Sequence, residues 1–140
     1  MRNSKASAEW NGIIKSGKGG MNVGGQTIPF SLNSRMEGGA DGSSPEELLA
    51  GALAGCYSMA LTSALERAGF SPEQVHSDAQ ANFDNKAGQW TVETIDLDVS
   101  AKVPGIDDTK FQEIAEGTRT ACPVARALAG VKINVKAKLV

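Results

Sequence analysis

At 140 residues and a formal net charge of −2, the chain has the size of one domain, residues 1–140, large enough to bury a core without staples. Its charged residues are dispersed rather than gathered in runs, which excludes the basic footprint of a nucleic-acid binder. Two cysteines are too few for a disulfide scaffold, and no apolar run of signal-peptide length follows Met1-Arg2-Asn3-Ser4-Lys5, so the expectation is a cytoplasmic protein in which any cysteine pairing is chemistry.

In chain order, Ala6, Ala8 and Trp10 alternate with polar residues, Ser16-Gly17-Lys18-Gly19 turns, and a second short strand ends near Val23, which together read as a hairpin. Thr27-Ile28-Pro29-Phe30 adds a third strand at an edge or a strand end, because Pro29 has no amide to donate. Residues 32–43 read as a loop. A long helix follows: Ser44 caps it, Pro45 takes the first helical position, Glu47 completes a capping box, and Gly69 stops it. From Leu48 to Leu65 no residue is charged, and apolar or small side chains occur all round, the pattern of a helix surrounded by protein. Its length reaches the lower limit for a membrane span, but its richness in Ala, Gly, Ser and Thr favours a soluble helix. The Gly51 to Gly55 spacing admits a close backbone neighbour, first by ordinary packing and second at a dimer seam.

Beyond the helix, Val75, Ser77, Ala79, Ala81 and Phe83 share one strand face, residues 84–88 turn, and a longer strand runs from Trp90 to Val103. Ile95, Leu97, Val99, Ala101 and Val103 alternate cleanly whereas Val92 is out of phase, so a bulge is expected near Glu93 or Thr94. Asp107 caps a helix with the apolar stripe Phe111, Ile114, Ala115 and Thr118, and a short helix begins at Cys122-Pro123 and stops at Gly130. Val131, Ile133, Val135, Ala137 and Leu139 form a last strand. The order β-β-β-α-β-β-α-α-β is α+β, with antiparallel sheets covering the central helix.

The chemistry centres on Cys56. A cysteine within a buried helix is by default a small hydrophobe. A reactive one must ionise, and mid-helix it needs a cation from elsewhere in the fold, for which the five arginines Arg2, Arg35, Arg67, Arg119 and Arg126, the lysines and the lone histidine are candidates that spacing alone does not separate. Cys122 opens a helix, where first-turn amides could stabilise a thiolate, although a neutral cap residue is the plainer reading. The two cysteines fit neither a Cys-x-x-Cys redox pair nor, with His76 as the one histidine, a zinc site. His76 reads as a surface residue.

Ser-Pro-Glu-Glu-Leu-Leu followed by Ala-Gly-Cys, and later Ala121-Cys122-Pro123-Val124, resemble the OsmC/Ohr family of hydroperoxide reductases. Trp10-Asn11-Gly12, Asn33-Ser34-Arg35-Met36-Glu37-Gly38 and Val103-Pro104-Gly105-Ile106-Asp107 extend the resemblance over nearly the whole chain, and the Arg35 loop and the last of these favour the OsmC branch. The resemblance implies an OsmC-like fold and a thiol peroxidase with catalytic Cys56, Cys122, Arg35 and Glu46. Cys56 attacks the peroxide, Cys122 closes a disulfide on the resulting sulfenic acid, Arg35 stabilises thiolate and peroxide, and Glu46 orients Arg35. It implies organic hydroperoxide and hydrogen peroxide as substrates, a dithiol such as dihydrolipoyl groups on a lipoylated protein as reductant, no bound cofactor, and a role in oxidative or osmotic stress.

Glu47 reads as a helix-dipole partner. Glu46 precedes Cys56 by ten positions, about 15 Å along one straight helix, too far for a shared site within one chain. If both act in one site they come from different subunits, as in the intertwined homodimers of the family. Tyr57, Met59, Leu53 and Phe30 could line an apolar pocket or pack a core. The rival functions are a non-catalytic dimeric module binding a small apolar ligand and a redox sensor that oxidises once and signals.

Overall fold

The computed structural model describes residues 1–39 and 41–140; the loop expectation at Ala40 falls outside them. They cluster into two compact units, Met1–Leu48 and Leu49–Val140.

In the first unit, β1 (Ala6–Asn11), β2 (Lys18–Val23) and β3 (Gln26–Phe30) make an antiparallel meander in the order β1-β2-β3. Pro29 lies in the edge strand β3, where a missing amide leaves no ladder bond unmade. The loop expected over residues 32–43 is corrected in part: α1 (Leu32–Glu37) forms there. Ser31 and Ser34 make a reciprocal capping box, in which the Ser34 amide donates to Ser31 Oγ at 3.0 Å and the Ser31 amide to Ser34 Oγ at 2.8 Å. A serine in place of the usual Glu or Gln at the third helical position hid this cap in the sequence. The element order therefore gains one helix.

α2 (Pro45–Arg67) begins in the first unit and continues into the second. Its capping box is present, with the Glu47 amide donating to Ser44 Oγ at 3.1 Å and the Ser44 amide to Glu47 Oε2 at 3.2 Å. Gly69 has φ +93°, and bonds from Gly69 N–H to the Glu66 carbonyl and from Phe70 N–H to the Leu65 carbonyl complete a Schellman ending. The apolar residues of α2 are not all enclosed. Leu53, Tyr57, Leu61 and Leu65 are fully buried at helical spacing, while Gly51, Ala52 and Gly55 are exposed and Met59 is 76% exposed. By length and composition alone α2 could cross a membrane, and 28% of its most apolar window is buried within the chain.

The buried face of α2 packs in the second unit with β4 (Gln74–Lys86), β5 (Gln89–Lys102), α3 (Asp108–Ala121), α4 (Pro123–Ala127) and β6 (Lys132–Leu139). Ile95, Leu97, Val99 and Ala101 of the central strand β5 point alternately into one core with Phe111, Ala115 and Ile133. Asn82 pairs with Thr94 and Phe83 with Val92, so Glu93 is the extra residue of the expected bulge. The sheet is mixed rather than antiparallel: β4 and β5 are antiparallel, but β6 runs parallel to β5. The α3–α4 segment between them is the long crossover that parallel neighbours require, whereas a tight turn would have enforced a hairpin. Leu61→Ala, in the middle of this core, is expected to lower stability by about 2–5 kcal/mol, read from the urea unfolding midpoint.

Candidate active site

Of the sequence-predicted site residues, Arg35 and Glu46 meet in the first unit, and Cys56 and Cys122 meet in the second. Arg35 owes its place to α1. Ser34, buried beside it, donates to the Ser43 carbonyl at 2.7 Å, and the Ser43 amide donates to the Pro29 carbonyl at 2.9 Å, so the helix is tied to the segment entering α2. Glu46 sits in the first turn of α2, where a carboxylate suits the helix dipole. The guanidinium donates to it from Nη2 to Oε1 at 2.6 Å and from Nε to both Oε1 at 3.0 Å and Oε2 at 3.2 Å, a charge-assisted contact to both carboxylate oxygens that fixes its plane. The Glu46 side chain is 11% exposed and that of Arg35 39%, so the carboxylate is enclosed while part of the cation faces outward. Glu47 is used by the capping box instead.

Cys56 lies half-buried near the middle of α2, and Cys122 is fully buried where α3 ends and α4 begins. Both are free thiols, and their side chains adjoin and interact with each other. Burial, and next the interaction with Cys56, push the Cys122 thiol above its ordinary pKa, while the Val124 and Ala125 amides that face it pull the other way. Upward wins, so Cys122 holds its proton at neutral pH. Any reaction in which the Cys122 thiolate attacks is therefore expected to speed up as pH rises, with its midpoint above that of an ordinary thiol. Single-turnover disulfide formation measured from pH 6 to 10 checks this, and a flat profile would count against it.

His76 is on the surface beside Asp78, at 3.1 Å, as expected. Among the described residues no group of three or more His, Cys, Asp or Glu side chains could hold a metal ion. Of the candidate pocket residues, Leu53 and Tyr57 belong to the core and Met59 does not. Sequence reasoning passed over the Tyr57 hydroxyl, which bonds to the Ala115 carbonyl at 2.8 Å; a lone tyrosine beside the cysteine was the available signal.

The family model for OsmC-like protein matches residues 38–136. The chain is 36% identical to the peroxiredoxin OsmC of Escherichia coli (strain K12) over 127 residues, covering 89% of this chain and 88% of that protein. Its fold is similar to the crystal structure of an OsmC-like protein from Mycoplasma pneumoniae, with a TM-score of 0.79, 18% identity and coverage of 99% and 98% of the two chains. It is also similar to the organic hydroperoxide resistance protein OhrB of Bacillus subtilis, with a TM-score of 0.72, 21% identity and coverage of 97% and 98%.

Proposed function

Because the chain belongs to the OsmC-like protein family, we propose that it is a cysteine-based peroxidase that reduces organic hydroperoxides, and hydrogen peroxide, with an external dithiol and no bound cofactor. The observation that carries this reading is the pair of free thiols, one on α2 and one at the α3–α4 junction, whose side chains adjoin each other. The name of the Escherichia coli relative supports it.

Cys56 sulfur attacks the outer peroxide oxygen, the O–O bond breaks, and the alkoxide takes a proton to leave as alcohol, with Cys56 as sulfenic acid. Cys122 sulfur then displaces the sulfenic oxygen, which leaves as water carrying the Cys122 proton, and a disulfide joins the two residues. A dithiol such as a dihydrolipoyl group on a lipoylated protein reduces the disulfide and becomes a cyclic disulfide itself. The cycle is placed in the cytoplasm, where thiols are kept reduced between turnovers.

The Arg35–Glu46 pair serves this chemistry from a second copy of the chain. Glu46 precedes Cys56 by ten positions, and ten residues of α-helix extend about 15 Å, too far for the two to share a site within one chain. The exposed, uncharged face of α2 at Gly51, Ala52, Gly55 and Met59 supports a homodimer, since homodimer interfaces are apolar at their centres. In each site Arg35 of the partner subunit, oriented by its own Glu46, stabilises the Cys56 thiolate and the charge developing on the peroxide.

The test is steady-state consumption of cumene hydroperoxide by the reduced protein with dihydrolipoamide, together with the mass of the oxidised chain. Turnover, with an intramolecular Cys56–Cys122 disulfide, is expected. No turnover with any dithiol would leave the family fold as a binding module, and a single oxidation without turnover would make it a sensor.

A further inference from the structure

Tyr57 adjoins Cys56, and the chemistry above makes no use of it. Its side chain is fully buried, and its hydroxyl donates to the Ala115 carbonyl of α3 at 2.8 Å. A buried phenol usually finds one partner, so the bond by itself is ordinary; its placement is not. Ala115 and Cys122 lie seven positions apart, about two helical turns, and so fall on the same face of α3. The stretch between them is held as a unit by Thr118 Oγ1 donating to the Ile114 carbonyl at 2.8 Å and the Cys122 amide donating to the Thr118 carbonyl at 3.0 Å. Among the described residues, and apart from the contact of Cys56 with Cys122 at the end of α3, Tyr57 to Ala115 is the one side-chain hydrogen bond that joins α2 to α3.

We propose that Tyr57 is a positioning residue for disulfide closure: its bond to Ala115 holds the face of α3 that ends in Cys122 against the segment of α2 that carries Cys56. This rests on the peroxidase reading. Closure forms the S–S bond and breaks the Cys56 S–O bond, with the oxygen leaving as water and Cys122 supplying the proton. It brings the adjoining sulfurs to about 2.05 Å with a restricted dihedral, a change that two anchored helices permit only in the right mutual alignment. Burial, with the nearby Glu116 and Cys122 adding, pushes the phenol pKa well up, so the hydroxyl remains a donor throughout the range in which thiols ionise.

Tyr57→Phe keeps the ring and removes only the hydroxyl. Reduced protein is mixed with cumene hydroperoxide and quenched at intervals, and mass spectrometry separates dimedone-trapped Cys56 sulfenic acid from the disulfide. Oxidation of Cys56 is expected to stay within about two-fold of the unmodified protein while closure slows about five-fold, the scale of one net hydrogen bond, and the trapped fraction rises. Closure unchanged within about two-fold, or both steps slowed in parallel as general loosening would produce, overturns the proposal on that same scale. Tyr57 is the only tyrosine, so biosynthetic fluorotyrosine places a single label without altering the core. Its fluorine resonance is expected to move between dithiol and disulfide states, and an unmoved resonance counts against the role even if the phenylalanine variant fails to fold. Should the intact protein form no sulfenic acid with any hydroperoxide, the peroxidase reading fails and the positioning role falls with it; normal turnover with closure indifferent to the hydroxyl removes the positioning role alone.

Discussion

Cys56→Ser is expected to abolish dithiol-dependent consumption of cumene hydroperoxide, by about 10³-fold or more, with the fold and the thermal midpoint nearly unchanged. A serine hydroxyl does not ionise in the working pH range, and its oxygen cannot accept the peroxide oxygen to form a reducible intermediate. Half-burial of Cys56 on α2 leaves room for the nearly isosteric replacement, so lost turnover reads as lost chemistry. Cys122→Ser separates the steps. Its first oxidation of Cys56 is expected at close to the normal rate, but closure is impossible, and excess peroxide carries the sulfenic acid on to sulfinic acid. Mass spectrometry of the two variants, with dihydrolipoamide oxidation followed alongside, checks both. A Cys56→Ser protein that still turns over would place the reactive thiol at Cys122, which is fully buried and holds its proton more tightly than an ordinary thiol.

What could be read in the sequence was whatever a local pattern encodes. The Ser44–Glu47 box, the Gly69 stop and the Asp107 cap are local and are all present. Val92, out of phase with the residues after it, placed the bulge at Glu93, because the side-chain period of a strand is strict. α1 was missed because its cap uses two serines and its six residues are too few to show a periodicity. The direction of β6 was missed for a different reason: alternation in Ile133, Val135 and Ala137 marks a buried face equally in parallel and antiparallel neighbours. One face of α2 is exposed within the chain although the composition reads as enclosed all round, since composition cannot tell burial within one chain from burial against another. At the site, Cys56 and Cys122 were singled out by their places on two helices and given their roles through resemblance, but their contact depends on the packing of α2 against α3, which no spacing in the chain encodes. The Tyr57 bond to Ala115 spans 58 positions and was hidden for the same reason.

Arg35→Ala is expected to slow the oxidation of Cys56 by about 10²-fold or more, the cost of losing one charged donor at a developing negative charge, without slowing disulfide closure in protein already oxidised at Cys56. It also leaves Glu46 enclosed without its cation, so some loss of stability accompanies it, and Arg35→Lys, which keeps the charge but not the fork, should recover only part of the rate. Mixing decides whether Arg35 acts within its own chain or across a dimer. Cys56→Ser and Arg35→Ala chains, each inactive alone, are unfolded together, refolded at equal concentrations and assayed. If the partner subunit supplies the arginine, each mixed dimer contains one site with both Cys56 and Arg35 intact and one with neither. Random pairing makes half the dimers mixed, so about a quarter of the unmodified activity per chain should return, as two-fold symmetry requires. If Arg35 serves the cysteine of its own chain, no site in any mixture is whole, and activity stays at the level of the variants assayed separately. The ten helical positions between Glu46 and Cys56, about 15 Å at the usual rise, make the first outcome the expected one.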